Sequence, residues 1–175
     1  YTATIAQVAG TAWEELSVGA RCDYDSDASN VEAFGRLYNG YAVSETAGLC
    51  PSGWHVPTDD EWTALENFLG ANGHSGAEGT ALKSTSGWGS GSGTDDFGFT
   101  ALPGGYRDGY DGSFYSAGGY GNWWSSSPSG GGAPDGGESF AVLAKAPGDA
   151  GEKAMTATAP CQSVAEITGL KQKVV

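Results

Sequence analysis

Glycine is the strongest constraint on this chain: it occupies 30 of the 175 positions, often in pairs, among 6 tryptophans, 8 tyrosines and 6 phenylalanines. Each glycine costs backbone entropy in a regular element and favours turns instead. Long helices or a continuous parallel sheet would need fewer of them. The mixture predicts a loop-rich single domain in which glycines turn the chain and large aromatic side chains supply the core area. No fixed-period repeat is visible, which disfavours solenoids and propellers.

Charge narrows the partners. With 8 basic against 21 acidic residues the formal net charge is −13. Nucleic-acid backbones and anionic membranes are repelled by such a surface. No apolar run approaches the roughly 20 residues of a membrane span. Tyr1-Thr2-Ala3 opens the sequence without the basic and apolar regions of a signal peptide. The three cysteines, Cys22, Cys50 and Cys161, allow one disulfide and one free thiol, and they lack zinc-ligand spacing.

Local patterns place the elements. Thr2 to Val8 reads as an opening strand. Val31, Phe34, Leu37 and Tyr38 have the spacing of one helical face, with Asn30 as N-cap and Gly40 as the stop. The clearest helix begins at Thr58, where Glu61 completes a capping box, and Trp62, Leu65, Phe68 and Leu69 form its apolar stripe before Gly70 ends it. Residues 70–97 read as surface loops carrying little core, with a short helix at Gly79 to Lys83. Strand-like pieces follow at Phe97 to Leu102, Ser113 to Tyr115 and Asn122 to Ser126, separated by turns at Gly104-Gly105 and Gly118-Gly119.

Several ordered motifs are more specific. Gly35-Arg36-Leu37-Tyr38-Asn39 is followed by Gly48-Leu49-Cys50-Pro51-Ser52-Gly53-Trp54-His55-Val56-Pro57-Thr58 and Asp60-Glu61-Trp62. Gly79-Thr80-Ala81-Leu82-Lys83-Ser84, Gly93-Thr94-Asp95-Asp96-Phe97-Gly98-Phe99, Ala101-Leu102-Pro103-Gly104-Gly105-Tyr106-Arg107-Asp108 and Trp123-Trp124-Ser125-Ser126-Ser127 continue the series. Over roughly residues 10 to 130 the chain resembles the Fibrobacter succinogenes major paralogous domain family. That resemblance implies a secreted bacterial surface domain of α+β class, related to the formylglycine-generating-enzyme and C-type-lectin-like folds. Two helices, a small twisted antiparallel sheet and long Gly-rich loops are expected. Residues 1–130 would form the domain, and 131–175 an atypical tail completing or flanking it. The family's ending would resemble Ser-Val-Arg-Cys-Val-Arg-Asp; Cys161 to Ile167 reads as a frame-shifted form of it.

The candidate sites carry alternatives. Asp23, Asp25 and Asp27 alternate, as ligands of one calcium ion can, although Ala28 and Phe34 break the helix–loop–helix pattern. A solvated acidic turn fits the same residues. Asp95-Asp96 and Asp108 to Asp111 could hold a cation or tie loops through backbone N–H groups. His55, between Trp54 and Val56, reads as a packed, hydrogen-bonded side chain, and His74 as exposed. No Ser/His/Asp or Cys/His set is suggested, and the cysteines do not match a formylglycine-generating arrangement, so no enzyme is expected. Strand alternation puts one of Trp123 and Trp124 in the core and the other on the opposite face. An exposed indole there, with Tyr106, Arg107, Asp108, Tyr110 and Tyr120 (and Tyr115 beside them), would form a ligand-binding surface. The functional expectation is a non-catalytic, extracellular ligand-binding or adhesion module for a glycan or protein; the other reading is a self-assembling subunit of a surface filament.

Overall fold

In the computed structural model the described residues are 5–9, 13, 15–44, 49–50 and 54–127, with the backbone of two further strands, Phe140–Ala144 and Ala157–Thr158. The class is α+β. Strand β1 (Ala6–Gln7) lies parallel to β2 (Ala20–Asp23), which pairs antiparallel with β3 (Arg36–Tyr38). Between them, α1 (Val31–Phe34) makes one turn, and α2 (Gly40–Ser44) follows β3. Helices α3 (Asp59–Leu69) and α4 (Glu78–Leu82) come next. A hairpin of β4 (Tyr106–Arg107) and β5 (Phe114–Tyr115) then leads into β6 (Gly121–Trp124). Strand β7 (Phe140–Ala144) pairs with β6, and β8 (Ala157–Thr158) closes the sheet beside β3 in the order β1-β2-β3-β8. Both late strands are thus hydrogen-bonded to strands of residues 1–130. The sheet is mixed, not purely antiparallel, because β1 runs with β2. The reading of Cys161 to Ile167 lies outside the described residues.

Helix α3 forms where its sequence places it. Thr58 Oγ1 accepts from the Glu61 N–H, the Glu61 carboxylate accepts from the Thr58 N–H at 2.8 Å, and three acidic residues occupy the first turn. Trp62, Leu65 and Leu69 are buried beneath it. The chain stays helical through Gly70 and widens into a π-type turn, Gly70–His74, before turning at Gly73.

Elsewhere tertiary pairing overrides local spacing. The helix expected from Val31 through Tyr38 stops after four residues, because Gly35 takes φ 75° and the next three residues find partners on β2. Leu37 and Tyr38 then point to opposite faces, Leu37 beside Cys22 and Tyr38 beside Trp124. Gly40 begins a helix instead of ending one, so the described residues hold four α-helices, one more than the local patterns place and two more than the resemblance implies. Asn30 makes no side-chain cap and donates to the Tyr24 carbonyl instead. The segment read as surface loops with little core, 70–97, forms its expected short helix as α4 but also supplies core, burying Ala81, Leu82 and Trp88. Phe97 to Leu102 forms only a single bridge, Lys83 with Ala101.

Among the described residues the core has three clusters. One joins α3 and α4 to Trp88, Phe99, Ala101 and Trp123; a second gathers Ile5, Tyr38, Ala42, Val43, Leu49, Val56 and Trp124. The third, around Trp13, Ala20, Cys22 and Leu37, underlies the hairpin through Phe114. Trp123 and Trp124 obey strand alternation, but both faces are covered, leaving them 3% and 5% exposed. The Trp123 ring folds over Gly121, where a β-carbon would strike it, and the β6–β7 register slips at this point.

Gly105 turns the chain into the hairpin at φ 63°, and a β-carbon there would collide with the Tyr115 carbonyl and the Ala117 N–H. Gly98 has nearly the same φ, 66°, but open space around it. Gly98→Ala is therefore expected to cost about 1–2 kcal/mol, the strain of left-handed backbone alone. Gly105→Ala should cost clearly more, or prevent folding. Urea denaturation of both variants checks this; equal midpoints would refute the close-approach argument.

Candidate functional site

The β4–β5 hairpin sorts its residues by strand alternation. Tyr106 and Tyr115, directly paired, face outward with rings stacked at 5.5 Å and 30°. Arg107 and Phe114, the next pair, face inward. Arg107 is 1% exposed, so it does not join a ligand surface as expected. Its guanidinium lies 4.6 Å from the Trp13 ring centre and 4.7 Å from that of Phe114. Nε donates to the Gly112 carbonyl at 2.8 Å and Nη1 to the Val8 carbonyl at 3.1 Å. A planar, weakly hydrated cation suits such a sandwich better than an ammonium would.

The loop between the strands is tied by its own carboxylates. Asp108 Oδ1 accepts the Tyr110 N–H at 2.6 Å, and Asp111 Oδ1 accepts the Ser113 N–H at 2.8 Å. The Tyr115 hydroxyl donates to Asp111 Oδ2 at 2.9 Å. These bonds hold the Asp111 carboxyl below its ordinary range, the Ser113 N–H first and the Tyr115 hydroxyl second, and the same contact raises the Tyr115 phenol. Tyr110, at the loop tip, is 72% exposed and Tyr115 is 40% exposed. Tyr120 is half-buried, and its carbonyl accepts from the Gly105 N–H at 2.7 Å.

The surface expected from sequence is therefore split. Tyr106, Asp108, Tyr110 and Tyr120 belong to the hairpin region; Trp123 and Trp124 are buried and unable to stack on a ligand. Tyr115, expected beside them, and Asp111, expected to tie loops or hold a cation, complete the outer face.

The acidic triplet is dispersed by its roles. Asp23 is 2% exposed and accepts from Gln7 Nε2 at 2.7 Å and Arg36 Nε at 3.2 Å. Asp27 instead accepts the Ser29 N–H and hydroxyl, which lower its carboxyl. Asp25 sits at φ 54° between them. Among the described residues no three His, Cys, Asp or Glu side chains are gathered as metal ligands. Asp95 accepts from the Thr100 N–H and hydroxyl, and Asp96 from the Thr94 hydroxyl, so both tie loops.

The histidines differ from expectation. His55 makes the expected hydrogen bond, to the Glu61 carboxylate at 2.8 Å, but is exposed and not packed. Burial would raise the Glu61 carboxyl, but the Thr58 N–H, His55 and the Thr58 hydroxyl together lower it. His74 is half-covered, edge-on to Phe97 at 5.2 Å.

These loops and strands coincide with the family motifs, and a family model, the Fibrobacter succinogenes major domain, matches residues 2–153. The chain belongs to that family. The match extends the resemblance beyond residue 130, through β7. No curated protein and no solved structure matches the chain. Among the described residues of this major domain, no helix is long and apolar enough to cross a membrane.

Its cysteines have separate fates. Cys50 is disulfide-bonded, while Cys22 is a free thiol in the core. Burial pushes the Cys22 thiol from 9.0 up to about 11, against the Arg107 guanidinium, which hydrogen-bonds it and favours the thiolate. Between those values the unfolded chain releases a proton that the folded chain retains. The stability from this thiol is thus complete below pH 9 and lost as pH rises towards 11, by about 2–3 kcal/mol. Denaturant titrations across that range should show a shallower decline for Cys22→Ala. The Cys22 thiol should react with a thiol reagent only after unfolding; its rapid reaction in the native protein would contradict the burial.

Proposed function

We propose that this domain is a non-catalytic, extracellular binding module that recognises a glycan or protein partner through the outer face of the β4–β5 hairpin, on a C-type-lectin-like scaffold. The observation that carries the reading is the display of Tyr106, Tyr110 and Tyr115 on one short, internally tied hairpin. Tyrosine buries much area for few rotatable bonds, and a loop already fixed by Asp108 and Asp111 loses little freedom on binding. Small sheets joined by long loops support the lectin-like scaffold. The Cys50 disulfide fits an oxidising compartment. Against thiol chemistry stands the buried, weakly acidic Cys22. The reading assigns no role to calcium: Asp23 is held by Gln7 and Arg36, and Asp27 by Ser29.

The test is to probe arrays of immobilised glycans and peptides with the full chain and with Tyr110→Ala. Tyr110 is exposed, so its truncation should leave the fold intact and weaken recognition about 5–50-fold. Indistinguishable profiles for the two proteins would sink the assignment to this face. Light scattering over a concentration series should return a monomer; growth into large assemblies would favour the filament-subunit reading instead.

A further inference from the structure

We propose that the outer face of the β4–β5 hairpin docks a cationic, arginine-bearing segment of a partner protein, an inference that rests on the binding-module reading and narrows it. The chemistry of this face is one-sided. Tyr106, Tyr110 and Tyr115 lie on it with Asp108 and Asp111, and Tyr120 sits beside them. From Gly104 to Gly121 the sequence contains a single basic residue, Arg107. Its guanidinium points the other way, into the Trp13–Phe114 sandwich. Strand alternation thus separates the hairpin's charges: the cation is sealed inside and both carboxylates stay at the surface.

The electrostatics at Tyr106 agree. Desolvation raises its phenol first, and the nearby Asp108 and Asp111 carboxylates raise it further. None of those influences is cationic. A positive side chain would meet three things at once on this face. It would find the π-surface of the Tyr106–Tyr115 pair, carboxylate oxygens with room for more donors, and the negative charge of Asp108 and Asp111. Arginine exploits all three better than lysine, since a guanidinium stacks on a ring while its N–H fork meets a carboxylate. The net charge of −13 would steer such a partner towards the domain. A neutral sugar could use the rings but gains nothing from the surrounding negative field, and an acidic glycan would be repelled. Charge complementarity therefore selects a basic protein segment over a carbohydrate.

The test uses fluorescence anisotropy at about 0.15 M salt with the full chain. The probe is a labelled Gly/Ser peptide bearing four arginines, beside the same peptide with four citrullines, which keep the shape and lose the charge. Two hairpin variants are needed: Asp108→Asn with Asp111→Asn, whose amide oxygens still accept the Tyr110 and Ser113 N–H groups, and Tyr110→Ala. The control, Asp60→Asn with Glu66→Gln, removes the same charge from the exposed face of α3. The arginine peptide should bind, the citrulline peptide at least about tenfold more weakly. Each hairpin variant should lose about fivefold or more and the control at most about twofold. Equal losses in hairpin and control variants would reduce the binding to general charge and overturn the proposal. So would equal binding of the two peptides. Tyr110-dependent binding of a neutral glycan on the array, with no arginine preference, would overturn this inference while leaving the binding-module reading intact. Failure of every probe on both assays would remove both.

Discussion

The fold depends on two adjacent indoles sealing opposite faces of one strand. A strand presents alternate side chains to its two sides, and in a small antiparallel pair one side is commonly left to water. On β6 neither is. Trp123 enters the core built on α3 and α4, edge-on to Phe99 at 5.9 Å, while Trp124 enters the core containing Tyr38 and Val56. Burying indoles of this size contributes roughly 4–6 kcal/mol each on area alone. Their polar groups are equally committed: Trp124 Nε1 donates to the Tyr38 carbonyl, and Trp62 Nε1 to the Trp124 carbonyl. Positions 38, 62 and 124, far apart in the chain, are locked at one point. The remaining helices and strands can then be very short, because they need not hold the domain together themselves.

Arg107 does for the hairpin what the indoles do for the centre. A buried cation is costly unless its donors and its charge find partners. Here two carbonyls accept from it, one in its own loop and one after β1, and two aromatic rings cover its faces. The hairpin is thereby fastened to the β1–β2 edge of the main sheet, and its tyrosines are turned outward with no other choice of face. The position of the candidate site is a consequence of where this arginine goes.

What could be read from sequence was whatever is decided locally. Helix α3 is legible because the Thr58–Glu61 capping box and the Trp62, Leu65, Leu69 stripe act within a few residues of one another. The strand read at Asn122 to Ser126 is legible in its centre for the same reason, although it forms at Gly121–Trp124. Residues 31–38 mislead because their apolar spacing suits a helix, while Gly35 and the open edge of β2 make a strand the better home for Leu37 and Tyr38. Residues 70–97 mislead because small and polar residues usually mark solvent, yet in a chain this rich in glycine the loops themselves must close the core around Trp88. The site suffered from a different ambiguity. Trp, Tyr and Arg serve cores and interfaces alike, and only tertiary partners separate buried Arg107, Trp123 and Trp124 from exposed Tyr110 and Tyr115.

A chain with this much glycine must recover its lost backbone entropy somewhere. Part comes from the aromatic cores, and part from short polar ties inside the loops. Asp27 holds Ser29, Asp95 holds Thr100, Asp108 holds Tyr110 and Asp111 holds Ser113, each within five residues of its partner. An aspartate used this way satisfies backbone donors that a helix or sheet would otherwise satisfy. The acidic composition then has a structural origin as well as a surface effect, since the residues that fix the loops also give them negative charge. Where those ties surround aromatic rings, as in the β4–β5 loop, stabilising the loop and preparing a surface that favours cations are the same act.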